Sequence, residues 1–246
     1  MLLGKNSMSV ISKTIKIIIQ KFLSLKFLER ITHVVIWKKI LDEKKPKITA
    51  SIYGPIKENM WDISVRQKTW DKIPDHLDVD KEILYLEFGT WTGRSIKYFA
   101  NKYRNKNSEF YGFDTFTGMP SKWRWLDQGH YDTSGNPPKV DDNRIKFVKG
   151  LFQDTLPEFL KKLESKSKEK IVVINFDAVL YSATLFTLFE LDKYFKNYYF
   201  IFDQFGTDEC RAFHNYTESK IIKYDILLAC KYESAPEVVF GKFKNK

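Results

Sequence analysis

Short apolar runs alternate with segments of helical periodicity through most of this chain. The runs show little alternation of apolar and polar residues, which is typical of parallel strands buried on both faces. Five such runs begin at Ile83, Glu109, Ile145, Ile171 and Tyr198. Between them, apolar residues recur at helical spacing over 93–104, 155–163 and 182–195. Strands that alternate with helices predict a doubly wound parallel sheet of the α/β class.

The two ends of the chain follow other patterns. Toward the C-terminus we expect a helix over 209–216 and an antiparallel hairpin of strands over 221–229 and 236–243. Residues 9–41 are predicted to be helical, with a second helix or a bend near Phe27. Their apolar stripe consists of Ile11, Ile15, Ile18, Phe22 and Leu25. We therefore divide the chain into a helical extension, 1–48, and a domain, 49–246.

The positive charge is concentrated in the extension. The chain carries a net charge of +10, and residues 1–50 contribute +8 of it through eleven Lys or Arg and three acidic residues. The domain is nearly neutral, which argues against a nucleic-acid partner. For the basic amphipathic helix of residues 9–41 we expect one of three positions. It packs on the domain, it packs on a second copy in a homo-oligomer, or it lies on an anionic membrane surface as a peripheral contact.

The sequence predicts a cytoplasmic protein, with the inner membrane surface as the alternative location. The longest apolar run near the N-terminus, 17–19, is far too short to span a bilayer, and no signal-peptide pattern precedes it. Cys210 and Cys230 lack metal or redox spacing, so we expect them to be reduced and structural.

The candidate chemistry begins at the turn after the first buried strand, in the stretch YLEFGTWTGRSI. The strand stops at Gly89, and Gly93 and Ser95 follow where the next helix starts. A strand, a glycine turn and a helix bring backbone amides close to a nucleotide-like ligand. The acidic Glu87 would repel a pyrophosphate and suits a cationic ligand. The stretch therefore favours S-adenosylmethionine over a dinucleotide.

Acidic residues end or adjoin four of the predicted strands, and ligands of such sheets collect beyond the carboxyl ends of the strands. These residues are Glu87, Asp114, Asp177 and Asp203. Asp114 follows Gly93 by 21 residues, a distance at which a carboxylate reaches ribose hydroxyls. His130 and His214 are candidate bases, although surface or structural roles explain them better.

Two segments lack a regular pattern. Residues 115–144 contain several Gly, Pro and Trp residues, and a loop this long is usually functional or disordered. Its tryptophans favour an ordered lid or a wall of the acceptor site. Residues 42–47 read as a charged linker, and 50–82 predict short helices over one edge of the sheet and the mouth of the site.

Five segments, in this order and spacing, resemble the macrocin O-methyltransferase type of class I methyltransferases. They are EFGTWTGRSI, YGFDTFTGMP, FVKGLFQDTLPEFL, NFDAVLYSATL and FIFDQF. The resemblance covers about residues 80–240. It implies a Rossmann-like, seven-stranded methyltransferase sheet and methyl transfer from S-adenosylmethionine to a hydroxyl of a small molecule or a sugar.

The resemblance also implies roles for individual residues. It implies that eight residues surround the cofactor, in order from its methionine part through the ribose to the adenine. They are Glu87, Phe88, Gly89, Gly93, Ser95, Asp114, Phe152 and Gln153. It implies a divalent metal, Mg²⁺, on Asp177 and Asp203 with Gln204 as the next ligand. Such a metal would hold the acceptor hydroxyl and lower its pKa, and Asp177 is also the candidate base.

The chain departs from the family's pattern at two positions. The family usually has acids where this chain has Val179 and Gln204, so the implied metal site loses charge and affinity. These departures motivate one alternative, a cofactor-binding homologue with lost or altered catalysis. A nicotinamide-dependent oxidoreductase is the other alternative, but it would want a G-x-G-x-x-G turn, which the chain lacks.

Overall fold

The computed structural model describes residues 25–52, 63–163, 170–232 and 235–244. Its α-helices, in chain order, are α1 (Leu25–Lys44), α2 (Ile63–Trp70), α3 (Arg94–Lys102), α4 (Phe152–Leu163), α5 (Tyr181–Leu191) and α6 (Asp208–Lys220). Its strands are β1 (Lys47–Ile52), β2 (Ile83–Phe88), β3 (Glu109–Asp114), β4 (Ile145–Lys149), β5 (Ile171–Phe176), β6 (Tyr199–Phe202), β7 (Tyr224–Tyr232) and β8 (Ala235–Phe243).

The described strands form one sheet in the order β1-β7-β8-β6-β5-β2-β3-β4. Strand β2 pairs in parallel with β3 and β5, whereas β8 is antiparallel to β6 and β7. From β2 the chain moves outward to β4 and then crosses back to β5 on the other side. The strand order therefore reverses between β2 and β5, the place where doubly wound sheets bind ligands. The predicted fold class and the closing antiparallel hairpin are confirmed.

Strand β1 adds an eighth strand to the seven that the resemblance implies. Sequence reasoning assigns its residues to a linker and to a region of short helices, but Lys47–Ile52 pairs in parallel with the edge of β7. Apolar residues alternate along it at Ile48, Ala50 and Ile52, which is the period of a strand. Helix α2 follows and packs on β1, β7 and β8.

A row of four phenylalanines fixes the rim of the sheet. The row, one residue from each of four neighbouring strands, consists of Phe113, Phe88, Phe176 and Phe202. Neighbouring rings stack with centroids 4.9, 6.0 and 4.5 Å apart, and all four side chains are fully buried. Burying one such side chain contributes roughly 1.5–3 kcal/mol. The residues that follow them in the chain are Asp114, Gly89, Asp177 and Asp203, so the row sets these four at one level.

Helix α1 packs on the domain. Its buried face, which joins the same core cluster as α6, consists of Ile36, Trp37, Ile40 and Leu41. Its other side exposes Leu28, Ile31, Val34 and Val35. The described part of the helix begins at Leu25, so residues 9–24, and with them the second helix or bend expected near Phe27, lie outside the described residues. Within the described ranges no helix is both long and apolar enough to cross a membrane.

Two local predictions need correction. Helix α4 begins at Phe152 rather than at Thr155, so Pro157 lies beyond its first turn. Helix α6 runs on to Lys220, which moves the start of β7 to Tyr224. Segment 115–144 contains no helix or named strand, as predicted, and it folds back on itself through backbone hydrogen bonds.

Candidate active site

A cleft opens at the carboxyl ends of β2 and β5. It contains about 1120 Å³ of space, part of it continuous with solvent. Its walls come from the turn after β2, segment 115–144, the start of α4, the ends of β5 and β6, and α2.

Gly89 allows the turn after β2 to pass against β5. Its φ is +94°, and a Cβ atom there would lie 2.1 Å from the carbonyl oxygen of Asp177. Gly93, with φ +71°, is the N-cap residue of α3. Gly89 and Ser95 line the cleft, and Gly93 lies in the same turn between them. Between the glycines, the buried hydroxyl of Thr92 has no hydrogen-bond partner among the described residues, which leaves it available to a ligand.

Asp114 holds this turn through the backbone. Its Oδ2 accepts hydrogen bonds from the N–H groups of Thr90 at 2.9 Å and Trp91 at 2.8 Å, and its Oδ1 accepts one from Phe116 at 2.8 Å. The residue also lines the cleft. Because an ionised carboxylate accepts about four hydrogen bonds, Asp114 can shape the turn and still receive one from a ribose hydroxyl.

Glu87 lies beneath the cleft rather than in its wall. Its Oε2 accepts hydrogen bonds from the Tyr85 hydroxyl at 2.8 Å and from Asn175 Nδ2 at 3.3 Å. Burial raises the pKa of Glu87 from 4.5 to about 7, although hydrogen bonds from Ser95, Tyr85 and Asn175 favour the charged form. Phe88 belongs to the buried phenylalanine row. Neither residue lines the cleft, and their contact with the cofactor stays a prediction.

Phe152 and Gln153 line the cleft at the start of α4, where the resemblance places the adenine. The edge of the Phe152 ring packs against Phe88 with centroids 5.3 Å apart. Across the cleft, segment 115–144 contributes Met119 and Tyr131. The segment therefore forms one wall of the site, as its sequence predicts.

At the far side of the cleft, Arg66 of α2 lies among three carboxylates. Its Nη1 is 3.3 Å from Asp203 Oδ2, to which it donates a hydrogen bond, and 3.6 Å from Asp177 Oδ2. Its Nη2 is 3.5 Å from Glu237 Oε1 on β8. The Arg66 side chain is only 13% exposed and that of Asp203 only 1%. Asp177 and Asp203 therefore converge on one point, as predicted, with a guanidinium at that point.

Burial dominates the titration of this cluster. It raises the pKa of Asp177 and Glu209 well above the usual range and also raises the pKa of Asp203 and Glu237. Attraction to Arg66 opposes the rise at Asp177, Asp203 and Glu237. For Arg66 itself, burial lowers the pKa, but attraction to the acids more than offsets this and the pKa rises. The acids depend on a permanent positive charge beside them.

The family model of the macrocin O-methyltransferases (TylF) matches residues 71–229, well over half of the chain. The chain belongs to the macrocin O-methyltransferase family. It is therefore an S-adenosylmethionine-dependent O-methyltransferase, as the resemblance predicts, and the oxidoreductase alternative is wrong.

Among solved structures, this O-methyltransferase is similar to CalS11, a TDP-rhamnose 3′-O-methyltransferase of calicheamicin biosynthesis. The two are 20% identical with a TM-score of 0.45, over 88% of this chain and 94% of CalS11. TomG from Streptomyces achromogenes, in complex with S-adenosylmethionine, is 9% identical with a TM-score of 0.42, over 75% and 91%. MycE, in complex with Mg, S-adenosylhomocysteine and mycinamycin VI, is 15% identical with a TM-score of 0.41, over 71% and 49%. A comparison with curated proteins finds no match.

The residues of this O-methyltransferase do not fit the metal site that the resemblance implies. Arg66 already occupies the point between Asp177 and Asp203. Val179, with φ +53°, belongs to an apolar cluster with Met119, so it supplies no ligand. The predicted Mg²⁺ is therefore not supported by the arrangement of the site.

Sequence reasoning missed Arg66 and Glu237 and kept two histidines as candidates. His130 packs against Tyr131 at 4.4 Å between ring centroids, and His214 lies 4.0 Å from Glu218 on α6. Neither histidine lines the cleft. The position of Arg66 leaves no local signal in the sequence, because α2 is short and has weak periodicity.

Proposed function

We propose that this O-methyltransferase methylates a hydroxyl of a small molecule or a sugar, with Asp177 as the base. The observation that carries the proposal is the position of Asp177, directly against the glycine turn. Its carbonyl oxygen would meet a Cβ at Gly89 at 2.1 Å, and its carboxylate faces the cleft with 24% of the side chain exposed. One residue therefore borders both the proposed cofactor seat and the proposed acceptor site.

The cofactor seat runs along the turn after β2 to the start of α4. Gly89, Gly93 and Ser95 would hold the methionine part, and the free hydroxyl of Thr92 offers a further polar contact. Asp114 would accept from the ribose. Phe152 and Gln153 would pack on the adenine. When bound, S-adenosylmethionine supplies a methyl group made electrophilic by its sulfonium charge.

The acceptor site lies between the carboxylates and the apolar wall. Asp177 would take the proton from the acceptor hydroxyl as the oxygen attacks, which is general-base catalysis. Burial already raises the pKa of Asp177, so the carboxylate is a stronger base than an aspartate in water. Met119, Val179 and Leu180 exclude water from this corner and suit an acceptor with apolar surface around its hydroxyl.

Calorimetry with S-adenosylhomocysteine tests the cofactor seat directly, and NAD is the negative control. We expect S-adenosylhomocysteine to bind and NAD not to bind. Asp114→Ala should weaken binding, whereas Asp132→Ala should not, because Asp132 is an exposed residue that caps only Ser134 in segment 115–144. An acceptor panel scored by S-adenosylhomocysteine release then tests the reaction. Binding without turnover on any hydroxylated acceptor would favour the homologue with altered catalysis.

A further inference from the structure

The acceptor corner is the point between Asp177 and Asp203 where the resemblance implies a metal. The guanidinium of Arg66, which is paired with Glu237, lies at this point. Both residues lie outside residues 71–229, the part of the chain that matches the family model. Arg66 comes from α2 and Glu237 from β8, the strand on which α2 packs. The corner therefore contains two charged groups that the resemblance does not assign.

We propose that Arg66 is the fixed cation of the acceptor site and takes the place of the divalent metal, so that the acceptor binds without metal. This inference rests on the proposed function, because it concerns the acceptor side of the same cleft. It assigns Arg66 as a positioning residue for Asp177 and for the acceptor oxygen.

The electrostatics of the corner support this assignment. Two carboxylates that point at one place repel each other unless a cation lies between them. The Arg66 guanidinium lies 3.3 Å from Asp203 and 3.6 Å from Asp177, and an arginine stays protonated throughout the physiological range. A metal ion entering the same point would meet this charge at short range.

The frame around Arg66 holds the guanidinium in place. Glu237 contacts its second nitrogen at 3.5 Å. At the C-terminal end of α2, Trp70 is 1% exposed and packs on Phe99 with centroids 5.4 Å apart. The hydroxyls of Thr69 and Thr49 share a hydrogen bond of 2.7 Å, which ties α2 to β1. The eighth strand thus helps to deliver the arginine to the cleft.

The guanidinium also has capacity for an acceptor. A guanidinium carries five N–H donors, and its three carboxylate contacts use Nη1 twice and Nη2 once. Arg66 lines the cleft, so a remaining donor can bind the hydroxyl oxygen of an acceptor whose proton points to Asp177. On the acid side, Asp203 is fully buried and a side-chain hydrogen bond from Trp70 of α2 favours its charged form.

The test is a Mn²⁺ titration, followed by electron paramagnetic resonance of the free ion, on wild type, Arg66→Gln and Arg66→Lys. Wild type should show no site-specific Mn²⁺ binding. Arg66→Gln removes the cation and keeps the carboxylates, so it should gain a specific Mn²⁺ site at least about tenfold tighter than the non-specific Mn²⁺ binding of wild type. Arg66→Lys keeps the charge and should behave as wild type.

Two results would overturn the inference. One is wild-type Mn²⁺ binding that disappears in Asp203→Asn. The other is a folded Arg66→Gln variant that gains no Mn²⁺ affinity. If Arg66→Gln does not fold, the wild-type titration decides alone: no binding supports the inference, and binding that depends on Asp203 overturns it. Calorimetry with S-adenosylhomocysteine on the same samples tests the proposed function separately. If S-adenosylhomocysteine does not bind, the proposed function fails, but the Mn²⁺ result still decides the role of Arg66.

Discussion

Replacing Glu87 by glutamine should change how the stability of the apoprotein depends on pH. Glu87 is fully buried on β2, with Oε2 bonded to Tyr85 and Asn175 and a further side-chain hydrogen bond from Ser95 to the carboxyl. Glutamine has nearly the same shape and keeps an oxygen for the Tyr85 hydroxyl. The substitution therefore removes the titration and leaves the packing of β2 nearly unchanged.

The sign follows from the pKa of Glu87, which burial raises from 4.5 to about 7. Between these values the folded protein holds a proton that the unfolded chain has lost, so stability is full below pH 4.5 and falls as pH rises to 7. One pKa unit corresponds to about 1.4 kcal/mol. Because the folded group is half deprotonated at pH 7 and the unfolded group is partly protonated at pH 5, wild type loses about 2 kcal/mol between pH 5 and pH 7 and about 2.5 kcal/mol by pH 8, a loss that Glu87→Gln does not share.

Urea denaturation at pH 5, 6, 7 and 8 and constant ionic strength measures this difference. The free energy of unfolding of Glu87→Gln, minus that of wild type, should rise by about 2.5 kcal/mol across the series, because titrating groups that do not interact with Glu87 cancel in the subtraction. Glu43→Gln is the matched control, since Glu43 is exposed on α1 and its carboxylate stays in solvent. A flat difference for Glu87→Gln would show that the buried carboxyl does not retain its proton, and the account of its burial would be wrong.

Three further substitutions test the cofactor turn and the base. Gly89→Ala should cost about 2–4 kcal/mol of stability and abolish S-adenosylhomocysteine binding, whereas Gly129→Ala should cost about 1 kcal/mol. Both glycines have positive φ, but a Cβ at Gly129 meets open space while one at Gly89 meets Asp177, and equal urea midpoints would contradict this contrast. Asp114→Ala should raise the S-adenosylhomocysteine dissociation constant about tenfold, because three backbone N–H groups lose a charged acceptor; unchanged calorimetric affinity would remove Asp114 from the seat. Asp177→Asn should lower methyl transfer at least about 100-fold and leave S-adenosylhomocysteine affinity within about threefold, and full activity in the acceptor assay would exclude Asp177 as the base.

The rim of the sheet was predictable because its information is local. An apolar run indicates each buried strand, and the acid that follows the run marks the carboxyl end of the strand. Asp114, Asp177 and Asp203 could therefore be assigned to one edge of the sheet from the sequence. The phenylalanine row explains why they lie at one level. Glu87 was harder, since alternation along a strand decides whether its side chain faces the cleft or the interior, and an unbroken apolar run does not reveal which.

The acceptor corner was not predictable, because its contacts join distant parts of the chain. Arg66 and Asp203 are 137 residues apart, and nothing near either residue signals the pairing. Strand β1 shows the same limit: the sequence after Pro46 is compatible with a linker, and it becomes a strand only because the edge of β7 offers unpaired backbone groups.

The two halves of the site therefore differ in what they reveal about the reaction. The proposed cofactor seat lies between Gly89 and Gln153, entirely within the residues that match the family model, so family membership bears on it directly. The acceptor half adds Arg66 and its partner Glu237 from outside that region. A guanidinium selects oxygen acceptors by donating hydrogen bonds in fixed directions, whereas a metal ion binds through coordination and tolerates several geometries. The acceptor should accordingly be sought among hydroxyl compounds that can bind between Arg66 and Asp177, and not among compounds chosen for chelating a metal.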